Sequence, residues 1–476
     1  MSFPTETDSK GDLYVDAEET QLKGKPGRPV TCSLPVKEGN GFVVVGGGSA
    51  AINAVESARK NGYIGPITLI TAEPYGPLDR TKLSKALIGN ANSLIWRSSA
   101  HLENVLKVTL KTGVRAQSVD LKSSAVKLDS GDSVPYNYLL LATGGKPKRL
   151  PLPGAKEGEL KGVYVVRTVS DVQQILYSLG DNKEKSVVIV GSSFIGMEVA
   201  IAISGQKLAK SVAVVGTEGS PLSGILGPDV GSALQATQEK NNGIKFYMKA
   251  VVESIQGKDG VASAVRIKDN DGNVVDLKAD IVVMGVGTAP ATDFIKESEG
   301  FPELQNDGSI LCDSTLRPQG LAGGVSNVFA AGDIAAWPSF DGKSTNRIEH
   351  WNVAGNHGRA VGQTVAELEA GKADKKTGGR KYEKAPIFWS ALGGQLRYVS
   401  DGNPGSHDDT YLDGNPSQSK FVIYYARGGK ISALASMGRD PIMAHCSELM
   451  RIGKMPSFDE VKDGKDPLSV PLGAQA

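Results

Sequence analysis

The chain has 476 residues, 40% of them hydrophobic, enough to bury a substantial core and to fill about two to four domains rather than one small stapled scaffold. Lys and Arg number 53 against 52 Asp and Glu, a formal charge of +1, so no global field recruits nucleic acid or an anionic membrane surface. Cys32, Cys312 and Cys446 are the only cysteines and share no CxxC spacing, which gives no sign of a disulfide framework or a metal site and reads as reduced, buried thiols.

Residues 1–38 are polar and rich in Gly and Pro, with one strand-like piece in GDLYVDA, and read as an arm rather than a domain. The acidic start has neither a secretory apolar region nor an Arg-rich presequence. No apolar run approaches the roughly 18 residues of a membrane helix. A cytoplasmic location without a membrane span is expected. From Gly41 the pattern is strand, glycine turn, helix to about Asn61, then a strand in PITLIT (66–71), a βαβ unit that begins a doubly wound sheet. YNYLLLATGG (136–145) closes this block. A second βαβ unit opens at Ser186 and runs through SVAVVG (211–216) to ADIVVMGVGTAP (279–290), after which NVFAAGD (327–333) reads as a return to the first block. Beyond about 375, aromatic and polar residues alternate between Gly-rich turns, the signature of an antiparallel mixed domain. The expected plan is an α/β protein: one dinucleotide-binding domain from 39–168 and 305–374, a second inserted at 169–304, and a C-terminal α+β domain at 375–476.

The first turn, Gly46-x-Gly48-x-x-Ala51, follows a strand and opens a helix, the context a dinucleotide fingerprint requires. Gly46 allows the bend, Gly48 lets backbone N–H groups reach a pyrophosphate, and Ala51 permits close helix packing. The helix start offers unpaired donors and a positive dipole end. Glu73 ends the next strand, where an acid takes a ribose hydroxyl pair. The second turn reads Gly191-x-Ser193-x-x-Gly196. Serine adds a hydroxyl where backbone usually meets phosphate, so either the loop stands farther off or the hydroxyl itself bonds a phosphate oxygen. Glu218 follows the next strand at ribose distance in sequence, and no Lys or Arg lies between 211 and 226 to hold a 2′-phosphate. NADH is therefore favoured over NADPH.

Two such turns, with PLDRTKLSK (77–85), ATGGKPKRLP (142–151), VVRTVSDV (165–172), FIGMEVA (194–200), GVGTAP (285–290), AAGDIA (330–335), RIEHWNVA (347–354) and FWSALG (388–393) in order, resemble the two-dinucleotide flavoprotein reductases. Within that group the chain is similar to the apoptosis-inducing factor family and the ferredoxin and rubredoxin reductases, over roughly residues 40–440. The resemblance implies a fold of the glutathione-reductase type, FAD in the outer segments and NAD(P)H in the inserted one. Residue by residue, it implies flavin contacts from Arg80, Lys85 and Arg167, and from the Thr143-Gly144 and Gly332-Asp333 turns, with Asp333 on the ribityl chain. His350 and Trp351 would line the pyrimidine side of the ring and Trp389 would stack near it. Glu198 would sit near the nicotinamide, with Gly287 across the entry. Lys85, Glu198 and Trp351 would be catalytic, the first two as an ion pair between the cofactor domains. His101, His357, His407 and His445 read as ordinary packing or surface histidines.

The implied chemistry is hydride transfer from NADH to flavin, which needs alignment and electrostatics more than a strong protein acid or base. No cysteine pair exists to carry electrons to a disulfide. The related branch often carries an N-terminal Rieske domain, whose ligand pattern is missing here: Cys32 is followed by Ser33 and Leu34, and no histidine precedes His101. The stretch at 11–30 resembles only the tail of such a domain. Electrons would leave to a small ferredoxin- or Rieske-like protein, a quinone or oxygen, from a monomer or redox-dependent dimer. The rival expectation is a redox-gated sensor that holds a long-lived reduced complex and signals through protein partners.

Overall fold

A computed structural model describes residues 5–8, 13–15, 32, 36–339, 344–374, 376, 378–401 and 407–473. The strand-like piece at the start is Leu13–Val15, paired antiparallel with Thr5–Thr7. The rest of the stretch read as the tail of an iron–sulfur domain lies outside the described residues.

The first sheet is built on β1 (Gly41–Val45), whose five residues are all buried. It leads through a glycine turn into α1 (Ser49–Lys60), and β2 (Ile67–Thr71) pairs beside it in parallel. On the other flank lies β3 (Ser133–Leu141), also parallel to β1. The start of β3 pairs antiparallel with Ala125–Leu128, while its buried end, Leu139–Leu141, pairs in parallel with a strand from much later in the chain, Val328–Ala330. The chain therefore leaves this sheet and returns to it.

Between departure and return stands a second, all-parallel sheet. Its central strand, β4 (Ser186–Val190), is buried throughout and precedes α2 (Phe194–Gly205). The strands Ser211–Val215 and Ile281–Met284 flank it. The apolar stretch 279–290 that ends the second unit holds two strands, Ile281–Met284 and Thr288–Pro290. Gly285 gives its N–H to the Val190 carbonyl (2.7 Å), Gly287 takes φ +96°, and Thr288–Pro290 then crosses to pair with Gly145–Pro147. That two-stranded ribbon joins the two sheets. A three-stranded antiparallel sheet, Val251–Lys258, Val261–Lys268 and Val274–Lys278, is inserted before it.

A long helix, α3 (Trp351–Glu369), packs along α1. The close approach is set by glycines: a Cβ at Gly358 would strike the Ala50 carbonyl, and one at Gly362 the Ala54 carbonyl. Two α1 hydroxyls fix the register, Ser49 Oγ donating to the Trp351 carbonyl (2.8 Å) and Ser57 Oγ to that of Arg359 (2.7 Å). The C-terminal part is a five-stranded antiparallel sheet containing Ile387–Ala391, followed by a helix at Ile442–Arg451. One apolar core runs from Leu78 and Leu83 through Val187 and Ile189 to Leu396 and Tyr425, so the three parts share buried surface.

Candidate functional site

The first glycine turn has the backbone its sequence asks for. Gly46 takes φ +133°, and a side chain there would collide with the Ala142 carbonyl. Gly48 is the N-cap of α1, and a Cβ on it would meet no protein atom within 4 Å. Its lack of a side chain thus serves the space in front of the helix, where unpaired N–H groups converge and no acid occupies the first turn. Ala51, fully buried, faces the packing side instead.

A cavity of about 1970 Å³ opens from this turn, lined by Gly46, Gly48, Glu73, Arg80, Thr143, Gly144 and Arg167 among others. Glu73 and Arg80 form a two-pronged ion pair, and Arg80 also reaches the Arg167 carbonyl (3.3 Å). Arg167 in turn meets Asp333 at 3.4 Å. Burial pushes the Asp333 carboxyl above the ordinary carboxylate range, against the pull of the Arg167 guanidinium. This long contact is the one side-chain donor to Asp333 among the described residues, so the carboxylate keeps acceptor sites for a ligand's hydroxyl groups. Gly332, before it, has φ +74° and donates its N–H to Nδ1 of His357 (3.2 Å), a fully buried ring whose pKa burial lowers to about 3. His357, read from the sequence as ordinary packing, therefore pins the turn that carries Asp333. Nothing in its spacing announces this, because the contact spans two elements.

The second turn repeats the geometry with one change. Gly191 takes φ +107° against the Gly285 carbonyl, and a Cβ at Gly196 would strike the Gly191 carbonyl, so both glycines are demanded by close backbone. Ser193 is the N-cap of α2, exposed, and its hydroxyl makes no capping bond. Glu218 is half-buried and already engaged, accepting from the Ser223 hydroxyl (3.2 Å) and the Gly224 N–H (3.3 Å). Scanning the loop for cations overlooks Lys249, which comes from the neighbouring strand's end: its N–H bonds the Glu218 carbonyl, and its Cε lies 3.6 Å from where a Gly219 Cβ would be.

Between the two turns, the expected ion pair is present. Lys85 Nζ lies 2.9 Å from Oε1 of Glu198, which is 2% exposed on α2. Two hydroxyls share that carboxylate: Ser84 donates to Oε2 and Ser390 to Oε1, each at 2.5 Å. Beside them an aromatic group converges from four segments. His350 caps α3 and accepts the Asn352 N–H at Nδ1 (3.1 Å), while its Nε2 lies 3.1 Å from the Trp389 carbonyl and 3.2 Å from the Trp389 N–H. Burial, with Lys85 nearby, lowers the His350 pKa to about 4, so the ring is neutral at physiological pH. Trp351 packs against Trp389 (ring centres 5.7 Å apart) and against Trp96 (4.8 Å). No motif signals Trp96; only the fold brings it to Trp351. Phe194, at the start of α2, meets Phe388 edge-on at 5.4 Å. The indole N–H of Trp351 is buried with no acceptor among the described residues, a donor aimed at something the protein itself does not supply.

None of the three cysteines is in a disulfide; Cys312 and Cys446 are buried as expected, whereas Cys32 is only half-buried. No cluster of metal-ligating side chains and no helix long and apolar enough to cross a membrane occurs among the described residues.

The family model for pyridine nucleotide-disulphide oxidoreductases matches residues 41–358. The chain is 32% identical to human apoptosis-inducing factor 3 across 94% of its own length and 69% of the relative's, and covers 63% of the mouse counterpart. It is 31% identical to rhodocoxin reductase of Rhodococcus erythropolis, covering 84% of this chain and 86% of that one. In fold it is similar to the crystal structure of the covalent putidaredoxin reductase–putidaredoxin complex, with TM-score 0.76, 24% identity, and 92% and 98% of the two chains covered. The two glycine turns, the open acceptor sites of Asp333 and the unpaired Trp351 indole N–H that fit a flavin, and this match across both sheets place the chain in the pyridine nucleotide-disulphide oxidoreductase family, as an FAD-dependent NAD(P)H oxidoreductase.

Proposed function

We propose that the protein is a reductase that draws electrons from NAD(P)H and delivers them to a small redox protein of the ferredoxin or Rieske type; the NADH preference expected from the sequence loses its ground, because Lys249 stands against the Glu218 loop. The observation that carries this reading is the buried Lys85–Glu198 pair, which bridges the two nucleotide-binding sheets beside His350, Trp351 and Trp389. When bound, the flavin supplies hydride acceptance and onward electron transfer. The chain's own residues do the rest. The donors at the starts of α1 and α2 hold the two pyrophosphates, Glu73 and Asp333 accept sugar hydroxyls, and Arg80 and Arg167 balance the charge of both phosphate and carboxylate. Lys85 places a cation where negative charge grows as electrons arrive, in a site with little water to screen it. The Trp351, Trp389 and His350 rings would exclude water and offer the flavin a largely apolar surface. Similarity to rhodocoxin reductase and to the putidaredoxin reductase complex supports a small electron-carrier partner.

Stopped-flow reduction of the purified yellow protein by NADH, followed by reoxidation with a ferredoxin, a quinone or oxygen, tests the reading. Rapid reduction with fastest discharge to the ferredoxin is the expected result. A stable coloured complex that none of the three discharges would overturn it in favour of a redox-gated sensor.

A further inference from the structure

The Glu198 carboxylate is held more tightly than an ion pair requires. Lys85 and Ser390 meet Oε1 at 2.9 and 2.5 Å, and Ser84 meets Oε2 at 2.5 Å. The three donors come from two remote segments: Ser84 and Lys85 from the short helix Thr81–Lys85, which packs on α2, and Ser390 from the C-terminal strand next to Trp389. A lysine alone would leave the carboxylate free to rotate, because an ammonium is a point charge with rotatable donors. Two hydroxyls on opposite oxygens fix its plane. An ionised carboxylate only accepts, so both serines spend their protons on it, and of about four acceptor sites three are filled. One remains, on Oε2.

We propose that Ser84 and Ser390 are positioning residues for the dinucleotide: together they keep the Glu198 carboxylate oriented so that its last acceptor site receives the N–H of a primary amide, the carboxamide of the nicotinamide ring. This deepens the reading above and rests on Glu198 facing the nicotinamide. A purely mechanical role in holding the three parts together would act on every dinucleotide alike. The proposed role acts only on those with an amide N–H.

The test is calorimetric binding to the flavin-loaded protein of NAD⁺ and of its 3-acetylpyridine analogue, which has the same adenosine and pyrophosphate but no amide N–H. Wild type is expected to bind the analogue about tenfold more weakly than NAD⁺. Ser390→Ala and Ser84→Ala are each expected to weaken NAD⁺ about tenfold and the analogue less than twofold, while Ser390→Thr, which keeps the hydroxyl, stays close to wild type. Equal losses for both dinucleotides, or NAD⁺ affinities within twofold of wild type, would overturn the assignment. Should an alanine variant not fold, Ser390→Cys, near in shape but a poor donor, gives the same comparison. A wild-type protein that binds no NAD⁺ at all brings down the proposed function itself, whereas binding without amide discrimination brings down only the serine assignment.

Discussion

Lys85 and Glu198 show how a single buried contact serves stability and function together. A paired buried charge adds little over an apolar pair, yet removing one partner strands the other. Lys85→Met leaves the Glu198 carboxylate 2% exposed with only hydroxyl donors, so unfolding by denaturant should show a loss toward the lower end of about 3–5 kcal/mol, given the lysine's own 20% exposure. Glu198→Gln should cost less, because a neutral amide still accepts from one serine through its oxygen and donates to the other through its NH2. The same Lys85→Met variant should reduce more slowly and move the flavin midpoint potential negative; an unchanged rate and potential would show that the cation has no electrostatic role. At Asp333 the expected change is in affinity: loss of charge-assisted bonds worth about 1.5–3 kcal/mol predicts that Asp333→Ala raises the FAD dissociation constant about 10- to 100-fold, read by fluorescence titration of apoprotein. His357 adds a pH signature. Its pKa is about 3 in the folded protein and about 6.5 unfolded, so as pH falls below about 6.5 the unfolded chain takes a proton the folded chain refuses. The stability it contributes is complete above pH 6.5 and is lost on acidification, by about 1.4 kcal/mol per pH unit down to about pH 3. His357→Gln should flatten the stability profile between about pH 6 and 4.5 by that slope.

At the scale of elements, the decisive pairing is α1 against α3, because it carries the start of one helix to the start of the other. Ser49, first residue of α1, bonds the carbonyl of Trp351, first residue of α3. The first glycine turn and the aromatic group thereby share a fixed distance. The pairing depends on Gly355, Gly358 and Gly362, spaced to form a groove for α1 backbone. Gly358→Ala puts a methyl onto the Ala50 carbonyl, which cannot move without moving the turn, so destabilisation of about 1–3 kcal/mol with weaker FAD retention is expected by thermal melting and flavin release. The individual strands and glycine turns were legible because period and breakers are local. The groove was not, since glycines inside a helix carry no signal until their partner is known. The antiparallel sheet at 251–278 also escaped, lacking any motif to set it apart from connecting chain.

For the whole molecule, the cavity and its neighbouring ion pairs are assembled from segments as distant as Gly46, Arg167 and Asp333, and Glu198 is tied to Ser84 and Ser390 from either side of it in sequence. Ligand that binds only this assembled state must stabilise it by mass action, and FAD at about 100 times its dissociation constant should add about 2.7 kcal/mol, seen as a concentration-dependent rise in melting temperature. By itself the sequence determined the two strand-turn-helix units, the acids that follow them, the return of the late strand to the first sheet, and the absence of a cysteine pair. These rest on local periodicity and on glycines whose backbone conformation is set by their nearest neighbours. Only the tertiary structure decided that Trp96 lies on Trp351, that His357 holds the Gly332 turn, that Lys249 reaches the Glu218 loop and that two serines lock Glu198. Each of those is a contact between elements remote in the chain, and side-chain chemistry alone does not say which of many polar or aromatic groups the packing will bring together.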